Sequence, residues 1–224
     1  GQAKTYQPTI RVRQGTATED AEGEVTESPG WEWDPAGLSA AVSALTGDIL
    51  QVPSAVSAVK VNGVRSYARV RSGEQVELAA RPVHIARFEV SGQPRIEGNH
   101  VDLDVVVKCS SGTYVRALAR DLGVRLGSAA HLTALRRTAV GPIGVGECAH
   151  LGQEPPPVVS AEDLVSRVLP VLAVSDEEGA ALRNGQRLHV NAGDGTYVVL
   201  VAGQWQSVVA VTDGQTRIEV NAPG

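Results

Sequence analysis

Methionine is absent from the whole 224-residue sequence, and phenylalanine occurs once. The two cysteines, Cys109 and Cys148, are far apart and form no C-x-x-C pair, so neither a disulfide framework nor a zinc site is indicated. Five histidines (His84, His100, His131, His150, His189) are scattered without a pair at ligand spacing, and no metal is expected. No apolar run reaches the roughly 18 residues that a membrane helix needs, so no membrane partner is expected. The opening GQAKTYQPTIRVR lacks the charged-then-apolar order of a signal peptide, which favours a cytoplasmic location. Without a methionine, and with TYQPTIRV reading as strand from the outset, the chain is expected to be a fragment whose beginning is missing.

What is present is enough for one large domain, or one ordinary domain with a small companion, and either buries a real core. The formal net charge of -5 argues against a nucleic-acid partner until the charges are located. Ala17 to Asp34 holds seven acids and no base, and Glu147 to the end holds ten acids against four arginines. Lys60 to Arg87 has six bases against two acids, and Lys108 to Gly141 six bases against Asp121 alone. The two middle blocks could assemble a phosphate-binding face, or could be solvated helix faces.

Residues 5 to 13 carry β-branched strand content, followed by the acidic loop and the turn-like AEGE. Asp34-Pro35 is a good N-cap and first helical residue for GLSAAVSALTG, with Leu38, Val42 and Leu45 at helical spacing. Asn62-Gly63, between AVKV and VRSY, is a strong hairpin signal. Strands are predicted at Arg81 to Val90 and at His100 to Lys108, the latter alternating as VDLDVVV. A Ser-Ser-Gly turn then leads into a helix from about Thr113 to Leu126. Its apolar stripe is Val115, Leu118, Ala119, Leu122 and Leu126, with Arg116 and Arg120 together on another side. An arginine at the opening of such a helix wants an anion. After Ile143 come the proline-rich GQEPPPVV, the short helix AEDLVSRVL, and from Leu172 short strands between glycine turns. The predicted division is 1-152, a connector with a short helix at 153-171, and a small β-rich domain at 172-224. No internal repeat of fixed period is visible.

Four blocks, KTYQPTIRVRQGTATEDAEGE, QVPSAVSAVKVNGVRSY with RSG beyond it, KCSSGTYVRALARDLGVRLG and AHLTALRRTAVG, resemble in order and spacing the TruB family of tRNA pseudouridine synthases, over roughly residues 4 to 142. The tail NGQRLHVNAGDGTYVVLVAGQW is similar to the PUA-like domain that closes bacterial members. The resemblance implies an α+β fold, with a mixed, mainly antiparallel sheet and flanking helices. It implies isomerisation of the T-loop uridine at tRNA position 55, by a monomer, without cofactor or metal. The buried base must be flipped out before chemistry on it is possible. In the family an aspartate attacks the nucleotide, an arginine pairs with that aspartate, and tyrosines stack on the base or handle its proton. A guanidinium beside a carboxylate favours the ionised, nucleophilic form and fixes its direction.

Carried over by position, Tyr6 would stack on the uracil or take up its C5 proton, and Tyr114 would wall the pocket. Arg116 would hold the carboxylate, and Leu135 would supply an apolar surface for the base. Each tyrosine, and Leu135, could instead be core. Lys60, Arg65, Arg136 and Arg137 are candidates for phosphate contacts, or else ordinary surface charges. The family's nucleophile lies in a G-T-L-D-P motif upstream of KTY, and no such motif occurs here, so the chain alone is expected to be inactive. GWEWDPAGL imitates it on the wrong side of Tyr6, and capping already explains its Asp34. Asp20 reads as a turn carboxylate, and Arg13 stands where glycine is usual. Two other function classes fit less of the sequence: a tRNA-binding or chaperone-like module without catalysis, and a protein-interaction domain favoured only by the acidic total.

Overall fold

The computed structural model describes residues 1–54, 60–61, 64–65, 78–152 and 158–222. In chain order the first part contains β1 (Lys4–Val12), β2 (Gly15–Thr16), β3 (Val25–Glu27), α1 (Pro35–Ser43), β4 (Gly47–Gln51), β5 (Lys60–Val61) and β6 (Val64–Arg65). There follow β7 (Arg81–Val90), β8 (Arg95–Glu97), β9 (His100–Cys109), α2 (Val115–Arg125), β10 (Ala130–Val140) and β11 (Ile143–Gly144). The remainder contains α3 (Ala161–Val168), β12 (Val171–Leu172), α4 (Asp176–Arg183), β13 (Gly195–Val201), β14 (Gln204–Thr212) and β15 (Gln215–Asn221). Contacts divide the chain into two units, Gly1–Glu147 and Cys148–Gly224.

The first unit is built on a sheet ordered β11-β10-β1-β9-β7-β4, with β8 added to β9. Its strand pairs are antiparallel. The period-2 pattern of β9 works out physically: Val101, Leu103, Val105, Val107 and Cys109 are buried, while Asp104 and Lys108 point away. Asp102, also on the outer face, is buried but paired, with Arg11 Nε 2.7 Å from one oxygen and Arg11 Nη2 2.8 Å from the other. From β1, Ile10 and Val12 enter the same core.

The helices cover that core face. Asp34 accepts the Ala36 N–H at 3.0 Å with Pro35 in the first turn, so the Asp-Pro pair is an N-cap, and Leu38, Ala41 and Leu45 face inward. In α2 the stripe Val115, Leu118, Ala119 and Leu122 is buried; Leu118 and Leu122, fully enclosed, contribute about 2 kcal/mol each. Gly123 permits α2 to lie against the start of β10, since a Cβ there would stand 2.6 Å from the Ala129 carbonyl carbon.

Two expectations meet local detail. Arg13 does occupy a left-handed turn, with φ 74°, and its N–H donates to Ala129 O at 2.9 Å. The turn that suits glycine is therefore kept by an arginine, at a cost in backbone strain. The hairpin around Asn62-Gly63 shows its flanking pairs, Lys60 with Arg65 and Val61 with Val64, while the turn residues lie outside the described residues.

The second unit has a four-stranded sheet ordered β12-β13-β14-β15, in which β12 pairs parallel to β13 and the rest are antiparallel. Leu172, Leu182, Val199, Val209 and Val211 form its core. Ser175 and Glu178 make a reciprocal capping box at the start of α4. The helix α3, placed with the connector from sequence, falls in this second unit, where Glu162 accepts the Trp205 N–H at 3.3 Å.

Candidate active site

Three segments meet where α2 begins. The first is the loop between β2 and β3, which carries Asp20. Thr18 Oγ1 and the Glu22 N–H both donate to Asp20 Oδ1, the latter at 3.2 Å, and Thr16 Oγ1 donates to the Asp20 carbonyl at 2.7 Å. These short-range bonds are the usual reason an Asp stands in a turn. The second segment is β10, to which the loop is tied by the Leu132 N–H donating to Glu19 O at 3.1 Å and by a bridge between Asp20 and Leu132. The third is α2 itself.

Arg116, in the first turn of α2, closes the triangle. Its Nη1 lies 2.8 Å from Asp20 Oδ2 and 3.3 Å from Thr18 O. About a quarter of each charged side chain remains exposed. One turn further along, Arg120 binds Glu19 at 2.9 Å, Asp121 at 2.8 Å and the Val52 carbonyl at 2.8 Å. Burial pulls the Arg120 guanidinium down, but the Glu19 and Asp121 carboxylates outweigh it and hold its pKa above the ordinary value. The acidic loop is thus fastened to the basic helix by two adjacent ion pairs.

This corrects the sequence reading of Arg116. It was expected to await an anion from outside these residues, and it already holds one, Asp20. The pairing spans 96 positions, so no local pattern announces it. The available signal is the acidic, turn-like stretch in which Asp20 reads as a turn carboxylate.

Asp20, Ala21, Glu22, Arg116, Leu132, Thr133, Ala134 and Leu135 line a cleft of about 550 Å³. Leu135 is 51% exposed, an apolar surface facing an ion pair across open space. Tyr6 and Tyr114 are not among the lining residues. Tyr6 is nevertheless on the same face of the sheet: it stands opposite buried Val107 on β9 and packs against the core, and its β10 partner is Arg137. Two residues on, Pro8 is opposite Leu135. Tyr114 is the N-cap of α2, two residues before Arg116, and makes no side-chain cap. Its backbone is held instead by Gln51, a residue the sequence reading passed over because a lone glutamine carries no signal.

Arg136 and Arg137 are both exposed on β10, opposite Gln7 and Tyr6. Lys60 and Arg65 are placed only as backbone partners in the β5–β6 pair. Asp34 is engaged in capping α1. Among the described residues no group of three or more His, Cys, Asp or Glu side chains could hold a metal, and no helix is long and apolar enough to cross a membrane.

Chemically, the cleft pairs a fixed guanidinium and carboxylate with an apolar wall, which suits a flat, uncharged ring bearing polar edges. Residues 1–115 match the TruB family pseudouridylate synthase N-terminal domain. A tRNA pseudouridine synthase B of Arthrobacter sp. (strain FB24) is 51% identical over 200 residues, covering 88% of this chain and 65% of that protein. One from Corynebacterium aurimucosum is 46% identical over 220 residues, covering 96% of this chain and 73% of that protein. The chain therefore spans about two thirds of the length of such relatives. Among solved structures, a Cbf5-Nop10-Gar1 complex matches with a TM-score of 0.61 at 18% identity, covering 98% of this chain and 66% of that one. An H/ACA RNP bound to a substrate RNA containing 2'-deoxyuridine matches with a TM-score of 0.57 at 17% identity. These last two likenesses are of fold, and the α+β architecture is that of the pseudouridine synthases. With a family match over half the chain and close relatives along nearly all of it, the protein belongs to the TruB family of pseudouridine synthases.

Proposed function

We propose that this protein isomerises uridine 55 in the T loop of tRNA to pseudouridine. The observation that carries this is the cleft in which the Arg116–Asp20 pair faces exposed Leu135. The flipped uracil lies against Leu135, with Tyr6 and Tyr114 closing the pocket from the β1 strand and the start of α2. A nucleophilic carboxylate attacks the nucleotide, the bond from N1 to the sugar breaks, the base turns, C5 rejoins the sugar as the carboxylate is released, and the C5 hydrogen leaves to water while N1 takes up a proton. Arg136 and Arg137, with Lys60 and Arg65, hold backbone phosphates and contribute the salt-dependent part of the affinity. The chain acts as a cytoplasmic monomer without cofactor or metal.

Asp20 is a poor nucleophile on physical grounds. Both of its oxygens are engaged, one by Thr18 and the Glu22 amide and the other by Arg116, so neither can turn toward a nucleotide without giving up a bond. Its role is to aim Arg116. The attacking aspartate is then a second carboxylate, supplied from outside these 224 residues and steered by the same guanidinium.

The test is to incubate the chain with a T-arm stem-loop carrying tritium at C5 of its uridines and to count tritium released to water. Salt-dependent binding without release supports the reading. Release by these residues alone overturns the external aspartate and makes Asp20 the nucleophile. Absence of any affinity for the stem-loop overturns the RNA reading altogether. The second reading, an RNA-binding module without chemistry, is favoured by the engagement of both Asp20 oxygens. It predicts no release even from the full-length protein.

A further inference from the structure

Gln51 ends β4 with its side chain sealed from solvent, 1% exposed. A buried amide is costly unless both of its ends are satisfied. This one is satisfied by a single residue 63 positions away: Oε1 accepts the Tyr114 N–H at 2.8 Å, and Nε2 donates to the Tyr114 carbonyl at 3.2 Å. Only this orientation of the amide serves both partners. In a capping box the bond to the N-cap N–H comes from a side chain three residues into the helix. Here it comes from another strand, and Tyr114 makes no cap of its own. The next residue repeats the tie, since Val52 O accepts from Arg120 Nη2 at 2.8 Å. Gln51 at the end of β4 and Val52 just beyond it therefore hold α2 at its N-cap and again in its second turn.

The core of α2 needs no such help, because Val115, Leu118 and Leu122 already anchor it. What the Gln51 bonds fix is the backbone of the residue whose dihedrals, φ -105° and ψ 108°, set where the Tyr114 ring points and where Arg116 starts. We propose that Gln51 is a positioning residue for the base pocket, clamping the Tyr114 backbone so that the ring and the Arg116–Asp20 pair keep one fixed geometry. This rests on the base-flipping reading above and adds to it a residue that never touches the nucleotide.

The test compares the 224-residue chain with its Gln51→Leu variant, which keeps bulk and removes both bonds. Gln51→Glu keeps the acceptor for the Tyr114 N–H and loses the donor, and serves if the leucine variant does not fold. Two readouts are taken: hydrogen exchange at the Tyr114 amide, and affinity for T-arm stem-loops bearing either uridine or an abasic residue at the target position. In the unmodified chain the uridine form should bind about tenfold tighter, the worth of one stacked base. In Gln51→Leu the Tyr114 amide should exchange at least about tenfold faster than before. The preference for uridine should disappear, while affinity for the abasic stem-loop and protection elsewhere in α2 stay as they were. A merely structural glutamine would lower global stability and leave that preference intact. Retention of the preference, or unchanged exchange at Tyr114, overturns the proposal. If the unmodified chain shows no preference for uridine, the base-pocket reading fails first, and the exchange result still decides whether Gln51 clamps Tyr114.

Discussion

Replacing Asp20 by asparagine keeps an oxygen for Thr18 Oγ1 and the Glu22 amide but removes the charge that Arg116 holds at 2.8 Å. Replacing it by alanine removes all three partners. Two unit charges about 4 Å apart attract by roughly 4 kcal/mol at an effective dielectric near 20. Desolvation and side-chain ordering take most of that back. With 26% and 24% of the two side chains exposed, the pair lies between a surface ion pair, worth under about 1 kcal/mol, and a buried one, whose breakage costs about 3–5 kcal/mol. The expected loss is about 1.5 kcal/mol for Asp20→Asn and about 2.5 kcal/mol for Asp20→Ala, the difference being the turn bonds. In a cycle of Asp20→Asn, Arg116→Ala and the double variant, the coupling should be about 1.5 kcal/mol. Urea unfolding followed by tryptophan fluorescence reports it, because Trp31 packs against the same core. Coupling under about 0.3 kcal/mol would show that the pair does not hold the loop to the helix, and Asp20 could not then be the group that aims Arg116.

Other outcomes follow from single contacts. Gly123→Ala should cost about 2–3 kcal/mol in urea unfolding, because the added methyl meets the Ala129 and Ala130 backbone, which has no rotamer with which to give way. The Arg11 guanidinium, by hydrogen bonding first and by charge second, holds the Asp102 carboxyl below its ordinary value. A lowered native pKa gives stability that is present above the unfolded value near 4 and is lost as pH falls through the native one. Asp102→Asn should therefore be less stable than the unmodified chain at pH 7, and unfolding midpoints measured down the pH scale should converge below about pH 4. Arg136→Ala and Arg137→Ala should each weaken binding of T-arm and unrelated stem-loops alike and reduce the slope of log affinity against log salt by about 1.

Much of the fold was legible because its elements obey local rules. The alternation in His100–Cys109, the Asp34-Pro35 start of α1 and the apolar stripe from Val115 to Leu122 each follow from the period of the element and the chemistry of its end. The two contact units meet between Glu147 and Cys148, shortly before the proline-rich stretch of the sequence, and α3 lies in the second. Individual site residues were harder to read. Leu135 was expected to offer an apolar surface for the base, or else to be core; it is 51% exposed opposite buried Pro8, and its sequence neighbours alone do not distinguish the two. Asp20 and Gln51 act through partners 96 and 63 residues away. A contact of that kind is a property of the fold and has no trace in the local sequence.

The distribution of charge shows what the fold does with a pattern visible in one dimension. Along the chain, acids gather in Ala17–Asp34 and bases in Lys108–Gly141, which suggests that the whole basic block is available to an RNA backbone. In space the two blocks interleave. Glu19 takes Arg120, Asp20 takes Arg116, and Asp121 adds to the first of these pairs. Arg116 is therefore committed to the geometry of the cleft, and Arg120 to fastening the acidic loop to α2. The exposed cations left in that block include Arg136 and Arg137, which lie on β10 opposite Gln7 and Tyr6. Such a division keeps the Arg116 guanidinium engaged by Asp20 while the β10 cations stay exposed. A carboxylate bound to Arg116 lowers the local positive potential that a stray phosphate would seek, while the outer strand keeps its own.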